Sequence, residues 1–589
     1  MEEIQPENQP EEVKWNGWGY SDTRFVVNKD GVVELTGARY LFSGKTFPEL
    51  RKWAEETAGL DIDKETPPQK TILVPKPNLN KAFVNEFQSH DMGTISFDPQ
   101  QRLYCGHGHT LQEIFALREG KINRLPDAVI SPENHEHVER IMACAKRHDV
   151  CIIPFGGGTS VTQALLCPEK EKRMIVALDM KSMNRVLWID HDNMTMKVEA
   201  GAVGKQLEEQ LNARGYRLGH EPDSYEFSSV GGWVATRASG MKKNVYGNIE
   251  DLLVAVRMVT PSGTVEKNCE VPRISSGPDI FQMILGSEGI LGVITEVVLK
   301  VRPMPSKQLY GSIVFPDFES GVACLREIQR QKCAPASIRL VDNEQFKFGQ
   351  CLKPGDASSW WDTMADWAKK IYVTKIKGFN VDRMVVATLV LEGRGNAVNA
   401  QLAQINAIAA QFGGLNAGPE NGVRGYFLTY VIAYIRDFSL QYGYIAESFE
   451  TSVPWSRALP LCLAVKKTVA DAAKANGVVR PPFVSCRVTQ LYDAGVAVYF
   501  YFGFLVRGLD DPVAVFSRVE ELARDTILAC GGSISHHHGV GKLRKHWMKE
   551  TVSPVGLRML NGLKHSVDPT NLMVAGNLID YVESTTSKL

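Results

Sequence analysis

The sequence predicts an α+β fold, and three observations predict it. Short apolar runs alternate with amphipathic helical patterns between residues 126 and 214. The texture changes near Pro303-Met304-Pro305, and residues 310–535 combine long helical patterns with a few strongly apolar runs. One run, Val496–Val506, is too aromatic for a typical helix and too short to span a bilayer, so it reads as a buried strand.

Taken in order, residues 1–95 are polar and proline-bearing, with Trp15, Trp18 and an amphipathic stretch near Phe47–Ala58. They read as a partly ordered arm with some helix. Pro126–Ile130 is a short strand. Ser131-Pro-Glu-Asn134 then opens a helix whose apolar face carries Val138, Ile141, Met142 and Ala145. Cys151–Phe155, Met174–Leu178, Val186–Ile189 and Thr195–Val198 read as strands, and Val203–Arg214 as a helix stopping at Gly215. Pro512–Ala529 reads as an amphipathic helix ending at Gly531-Gly532.

Composition bounds the function. The 589 residues carry 66 Lys and Arg against 67 Asp and Glu, a net charge of −1 that gives no electrostatic reason to expect nucleic acid. The 11 cysteines are odd in number, scattered and without a Cys-x-x-Cys pair, as expected of free thiols in a reducing compartment. No apolar run reaches the roughly 18–20 residues of a membrane span. The acidic N-terminus reads as neither a signal peptide nor a mitochondrial presequence. Ser587-Lys588-Leu589 reads as a peroxisomal address, to be bound by the import receptor.

Three glycine-rich segments carry the chemistry. Pro154-Phe-Gly156-Gly157-Gly158-Thr159-Ser160 follows a strand. Its glycines permit close approach and positive φ, and successive amides can form a nest for an anion, naturally a pyrophosphate. It is neither a Walker loop nor a Gly-x-Gly-x-x-Gly fingerprint. The second segment, Gly219–Gly240, is dense in small residues that let another surface approach. The third is Gly286–Thr295.

Together these segments resemble the FAD-binding domain of the vanillyl-alcohol oxidase (PCMH-type) flavoprotein family. The resemblance implies an N-terminal arm and helical region over 1–120 and a two-subdomain FAD-binding domain over 121–305. It implies a substrate-binding cap over 306–535, with an antiparallel sheet flanked by helices. A C-terminal segment, 536–589, would return to the FAD domain. FAD is expected to bind non-covalently, although His220 lies near the second segment. By motif position, Pro154, Gly156, Gly157, Gly158, Thr159 and Ser160 would hold the pyrophosphate. Pro222, Asp223, Ser228, Ser229, Gly232, Thr236, Ala238 and Ser239 would line the flavin and its ribityl chain. Glu288, Gly289 and Ile294 would sit near the adenosine half.

Met241-Lys-Lys-Asn-Val-Tyr-Gly-Asn-Ile-Glu-Asp-Leu252 and Ser535-His-His-His-Gly-Val-Gly541 narrow the resemblance. They are similar to the branch that forms the ether bond of ether lipids, replacing the acyl chain of acyl-dihydroxyacetone phosphate with a long-chain fatty alcohol. In that branch the reaction has no net redox change and runs through a flavin N5 adduct. A homodimer, peripheral contact with the peroxisomal membrane and a complex with the acyltransferase that supplies the substrate would follow. The rival is an FAD-dependent dehydrogenase of 2-hydroxy acids such as D-lactate or D-2-hydroxyglutarate. Such enzymes carry a single His-Gly where this chain has His536-His-His-Gly539.

A base must take a proton from the substrate carbon and help activate the alcohol, and histidine suits that work near neutrality. His537 and His538 are the first candidates and His536 the next. A metal is not expected, because adjacent histidines seldom chelate one ion. Tyr499 shares a strand face with Ala497 and Tyr501, and the resemblance makes it an acid or base. Arg436 lies in an apolar helix beside Asp437, where an unpaired guanidinium would be costly. By resemblance it binds the substrate phosphate. Arg339 is a second candidate. Lys542 and Arg544 read equally well as a solvated face.

Overall fold

The computed structural model describes residues 1–5, 13–267, 269, 271, 273–355 and 377–581. Ser587-Lys588-Leu589, with the address read there, lies outside them.

The first sheet begins with the helix that feeds it. Asn134 caps His135–His148 by accepting from the His137 amide, and Val138, Ile141, Met142 and Ala145 fall on its buried face. The strand Cys151–Phe155 follows, parallel to Ile175–Asp179, which runs parallel to Ala128–Ser131. Thr94–Ser96 adds an antiparallel edge. The end of the chain returns to this sheet. The Ile152 amide donates to Leu572 O at 2.8 Å, and Met573 pairs with Ile152 in parallel.

A second, five-stranded antiparallel sheet runs in the order Val186–Asp190, Thr195–Glu199, Val293–Lys300, Leu253–Thr260, Gly263–Val265. The three glycine-rich segments lie on the connections of these two sheets. The cap is a seven-stranded antiparallel sheet. It runs in the order Leu415–Asn416, Lys307–Phe315, Val385–Gly393, Ser337–Val341, Phe483–Leu491, Gly495–Leu505, Tyr444–Pro454. Alternation sends Val498 and Phe500 of the aromatic strand into the cap core, where helices Ala458–Ala475 and Pro512–Ala529 cover them. The opposite face carries Tyr499 and Tyr501. The aromatic strand and the helix Pro512–Ala529 fall where the sequence places them.

The N-terminal region is partly helical, and it carries strands that its composition did not disclose. Phe25–Val27, Val33–Leu35 and Thr46–Phe47 form a small antiparallel sheet, and Glu2–Ile4 pairs with Ile72–Val74. Strands of two or three residues are too short to show alternation in sequence. Partners hold them instead, with Phe25, Val33, Leu35 and Phe47 packing on Val431, Tyr434 and Phe438 of the long helix Glu420–Gln441. Lys81–Ser89 packs by Phe83 and Phe87 into the core of the first sheet. All 11 cysteines are free. Among the described residues, no helix is long and apolar enough to cross a membrane.

Candidate functional site

A cavity of about 410 Å³ opens where the two FAD-domain sheets face the polar side of the cap sheet. One wall is made of backbone. The strand Cys151–Phe155 ends in the glycine turn, with Gly158 at φ 73. A Cβ on Gly157 would stand 2.1 Å from Phe227 O, and one on Gly156 would stand 2.4 Å from Ser229 Oγ. Only glycine lets this turn lie flat on the second segment. Ser229 caps the helix Val230–Thr236 by accepting from Gly232 N, and Trp233 Nε1 donates to Ser228 Oγ at 2.8 Å. The Cβ of a residue at 232 would meet only Ser229 Oγ, at 3.3 Å, so the chain is thinned on the cavity side.

Glu288 closes this wall. It sits at φ 47, and its carboxylate accepts from the amides of Val540 and Gly541 at 2.7 and 2.6 Å. Burial pushes its carboxyl up to about 7, against those amide bonds. Pro154, Thr159, Ser160, Pro222, Thr236, Ala238, Gly289 and Ile294 also line the cavity. Ser239 faces a small adjoining pocket and donates to Asn248. His220 packs against the edge of Trp233, outside the cavity lining.

The other wall is made of side chains. Three adjacent strands put Glu450, Tyr499 and Arg487 in one cross-strand row. The Tyr499 hydroxyl lies 2.6 Å from His537 Nε2 and 3.0 Å from His538 Nε2. His537 Nδ1 lies 2.8 Å from His536 Nδ1, and His536 Nε2 lies 2.6 Å from the Tyr492 hydroxyl. Tyr492, His536, His537, Tyr499 and His538 are therefore one continuous hydrogen-bonded chain. Neutral imidazoles suit it, because each then offers one donor and one acceptor. Burial supplies that state by lowering His536 to about 3, lowering His537 and holding His538 well below its ordinary value.

Glu450 anchors the histidines. It accepts from the His536 amide, from the His538 amide at 3.1 Å and from Ser535 Oγ at 2.8 Å. Burial opposes its charge, but His538, His537 and Arg544 hold its carboxyl well below the usual range. Its Oε1 stands 3.5 Å from His538 Nδ1, ready to stabilise an imidazolium. Burial, then Asp223, raises Tyr499 well above an ordinary phenol, and Arg487 opposes them from 4.7 Å over the ring.

The arginines divide into two kinds. Arg339 and Arg487 share one carboxylate, each placing Nη2 3.2 Å from Asp223. Arg339, with Asp223, Tyr499 and His537, lines the small adjoining pocket. Arg436 lines the main cavity but meets two carboxylates, Asp437 at 3.2 Å and Glu447 at 3.3 Å, and donates to His109 O at 2.7 Å.

The structure brings the candidate catalytic, substrate-binding and cofactor-binding residues around one cavity and its side pocket, except His536, which is hydrogen-bonded behind His537; His220, Lys542 and Arg544 lie outside both linings. Sequence reasoning missed Glu450, Arg487, Glu447, Tyr492 and His109. A charged residue inside an apolar strand was the available signal for Glu450 and Arg487. Lys542 and Arg544 are no solvated face. Lys542 holds Gln163 O and Ala164 O after the glycine turn, and buried Arg544 donates to Gly539 O. Glu450, His536 and His537 bring three metal-ligand-type atoms within 4.8 Å. Those atoms are engaged with the neighbouring amides and with each other.

The residues fit FAD. Among the described residues, the amides of Gly157, Gly158 and Thr159 find no acceptor, as a turn awaiting an anion would leave them. A family model described as an FAD binding domain matches residues 126–268, and one described as the C-terminal domain of FAD linked oxidases matches 304–578. Fold and site define an FAD-dependent flavoprotein with a PCMH-type FAD-binding domain and a cap. The chain is 51% identical over 579 residues to alkyldihydroxyacetonephosphate synthase of Caenorhabditis elegans, covering 98% of this chain and 97% of that one. It is 33% identical to the Trypanosoma brucei brucei enzyme of the same name, covering 97% and 92%. A solved structure of an alkyldihydroxyacetonephosphate synthase matches with a TM-score of 0.82 at 30% identity, covering 95% and 96%. The chain belongs to the alkyldihydroxyacetonephosphate synthase family.

Proposed function

We propose that this chain exchanges the acyl chain of acyl-dihydroxyacetone phosphate for a long-chain fatty alcohol, forming the ether bond of ether lipids with no net redox change. The observation that carries this reading is the Tyr499–His537–His538 cluster, set across one cavity from the glycine turn. FAD, when bound, supplies an electrophilic ring system for the substrate carbon. The protein supplies the proton transfers.

His537 and His538, neutral and hydrogen-bonded to Tyr499, are poised to take the proton from the substrate carbon. Glu450 stabilises the resulting imidazolium. Tyr499 bridges the two rings, so one imidazole can hold the proton from the carbon and return it to that carbon at the end, while the other takes the alcohol proton as the ether bond forms and the fatty acid leaves as its carboxylate. Asp223 leaves the Arg339–Arg487 pair with one unmatched positive charge, which favours the substrate phosphate. Arg436, matched twice over, positions the cavity wall and contacts the phosphate only if a carboxylate yields it. Peripheral membrane contact and a peroxisomal site of action belong to the same reading, because both substrates are lipids of that pathway step.

The test is the visible spectrum of the pure yellow protein. Bleaching by palmitoyl-dihydroxyacetone phosphate and recovery with hexadecanol, without an electron acceptor, is the expected result. Bleaching by a 2-hydroxy acid alone would replace this reading with the dehydrogenase. Protein that takes up no FAD would overturn both.

A further inference from the structure

Part of the cavity lining is apolar and comes from the N-terminal region. Leu50, Ala54, Ala58 and Leu60 of that region, all of them buried, line the same cavity as Tyr499 and His537. Residues 48–60 lie outside both matched family models, which span 126–268 and 304–578. The catalytic cavity is therefore finished by a segment that the FAD-binding framework does not itself contain.

The local backbone there is unusual. The helix Pro48–Trp53 widens into a π-helical turn, Ala54–Ala58, and Gly59 ends it at φ 77. Single π turns of this kind gather at functional sites. The turn is fixed on the cap from both ends. The Trp53 ring packs 4.5 Å from Phe348 and 5.4 Å from Phe483. Gly59 holds the left-handed conformation that favours glycine, and the Arg480 side chain lies against it. A wall held this firmly can discriminate length. Its two alanines are the smallest groups it presents, and they leave the space that a larger side chain would fill.

We propose that the Ala54–Ala58 turn gauges the hydrocarbon chain, setting the length of the acyl group and the fatty alcohol that the cavity accepts. The inference rests on the proposed function and deepens it. The occupant follows from continuity. This apolar part of the lining belongs to the same cavity as the catalytic groups and is of no use to the polar dihydroxyacetone phosphate end of the substrate. The fatty acid and the alcohol use the same apolar lining, so one gauge serves both.

The experiment compares kcat/KM for octanol, dodecanol and hexadecanol, at saturating palmitoyl-dihydroxyacetone phosphate, in the wild-type holoenzyme and in Ala54→Leu and Ala58→Leu. Each methylene that no longer fits costs about fourfold. The expected result is a fall of roughly tenfold or more for hexadecanol relative to octanol, carried by KM, with an unchanged flavin spectrum. A smaller variant, Ala54→Val, gives the same test with a shift of about fourfold if the leucine variants bind no flavin. An equal loss at all three lengths, or no change in their ratio, would overturn the gauge. Wild-type protein that processes none of the alcohols would instead overturn the proposed function.

Discussion

The two walls of the cavity are built from different materials. The FAD-domain wall is mostly backbone, and it works because atoms are missing at Gly156, Gly157 and Gly232. The cap wall is mostly side chain, and it works because Glu450, Tyr499 and Arg487 sit in one row above the histidines. A backbone wall is damaged by adding atoms and a side-chain wall by removing them. The first kind of damage should cost cofactor, and the second should cost chemistry with the cofactor still in place.

The largest expected effect is on the cap wall. Tyr499→Phe removes the hydroxyl shared by His537 and His538 and should lower turnover by roughly 10²–10⁴-fold. Flavin absorbance per protein should stay at the wild-type level; a colourless Tyr499→Phe protein would break the division. Next comes the backbone wall. Gly157→Val drives a side chain into Phe227 O and should destabilise the fold by about 1–3 kcal/mol. Purified protein should be pale, and a flavin titration would read the lost affinity.

Glu450→Gln sharpens the comparison. It keeps the shape but removes the charge that raises His537 and His538. The acid limb of the pH–rate profile should move to lower pH, while flavin content is kept. An acid limb that stays in place would remove Glu450 from its supporting role.

The smallest effect is a pair of opposite pH signatures in stability. His536 is depressed to about 3 in the folded chain, so its contribution is present above its ordinary value of 6.5 and is lost as pH falls towards 3. Glu288 is raised to about 7, so its contribution is full below its ordinary value of 4.5 and is lost as pH rises through 7. Thermal unfolding from pH 4 to 8 should show a shallower acid-side slope in His536→Asn, with His537 and His538 still depressed, and the loss of the Glu288 contribution between 4.5 and 7 in Glu288→Gln. Identical curves for both variants would mean that neither wall carries its own titration.

The same difference in material explains what the sequence disclosed. A glycine turn is a local requirement, so Gly156–Ser160 and Gly219–Gly240 were legible as runs. The three histidines were legible because they are adjacent. Glu450 and Arg487 act from strands brought together only by the sheet, and nothing local pairs them with Tyr499. Arg436 was found, but its second carboxylate, Glu447, comes from the next strand, and that partner decides how free its charge is. The N-terminal sheet escaped notice because its strands are held by the helix Glu420–Gln441 rather than by any pattern of their own.

The pairing of Ile152 with Leu572 and Met573 carries a consequence for folding. The sheet that bears the glycine turn takes its last neighbour from residues 572–573, about 420 positions further along the chain. The histidines stand on the stretch of chain that leads to it. The open edge of the strand that leads into the glycine turn is therefore closed by the same segment that follows the histidines, so one docking event completes the sheet and seats the cap-side groups against it.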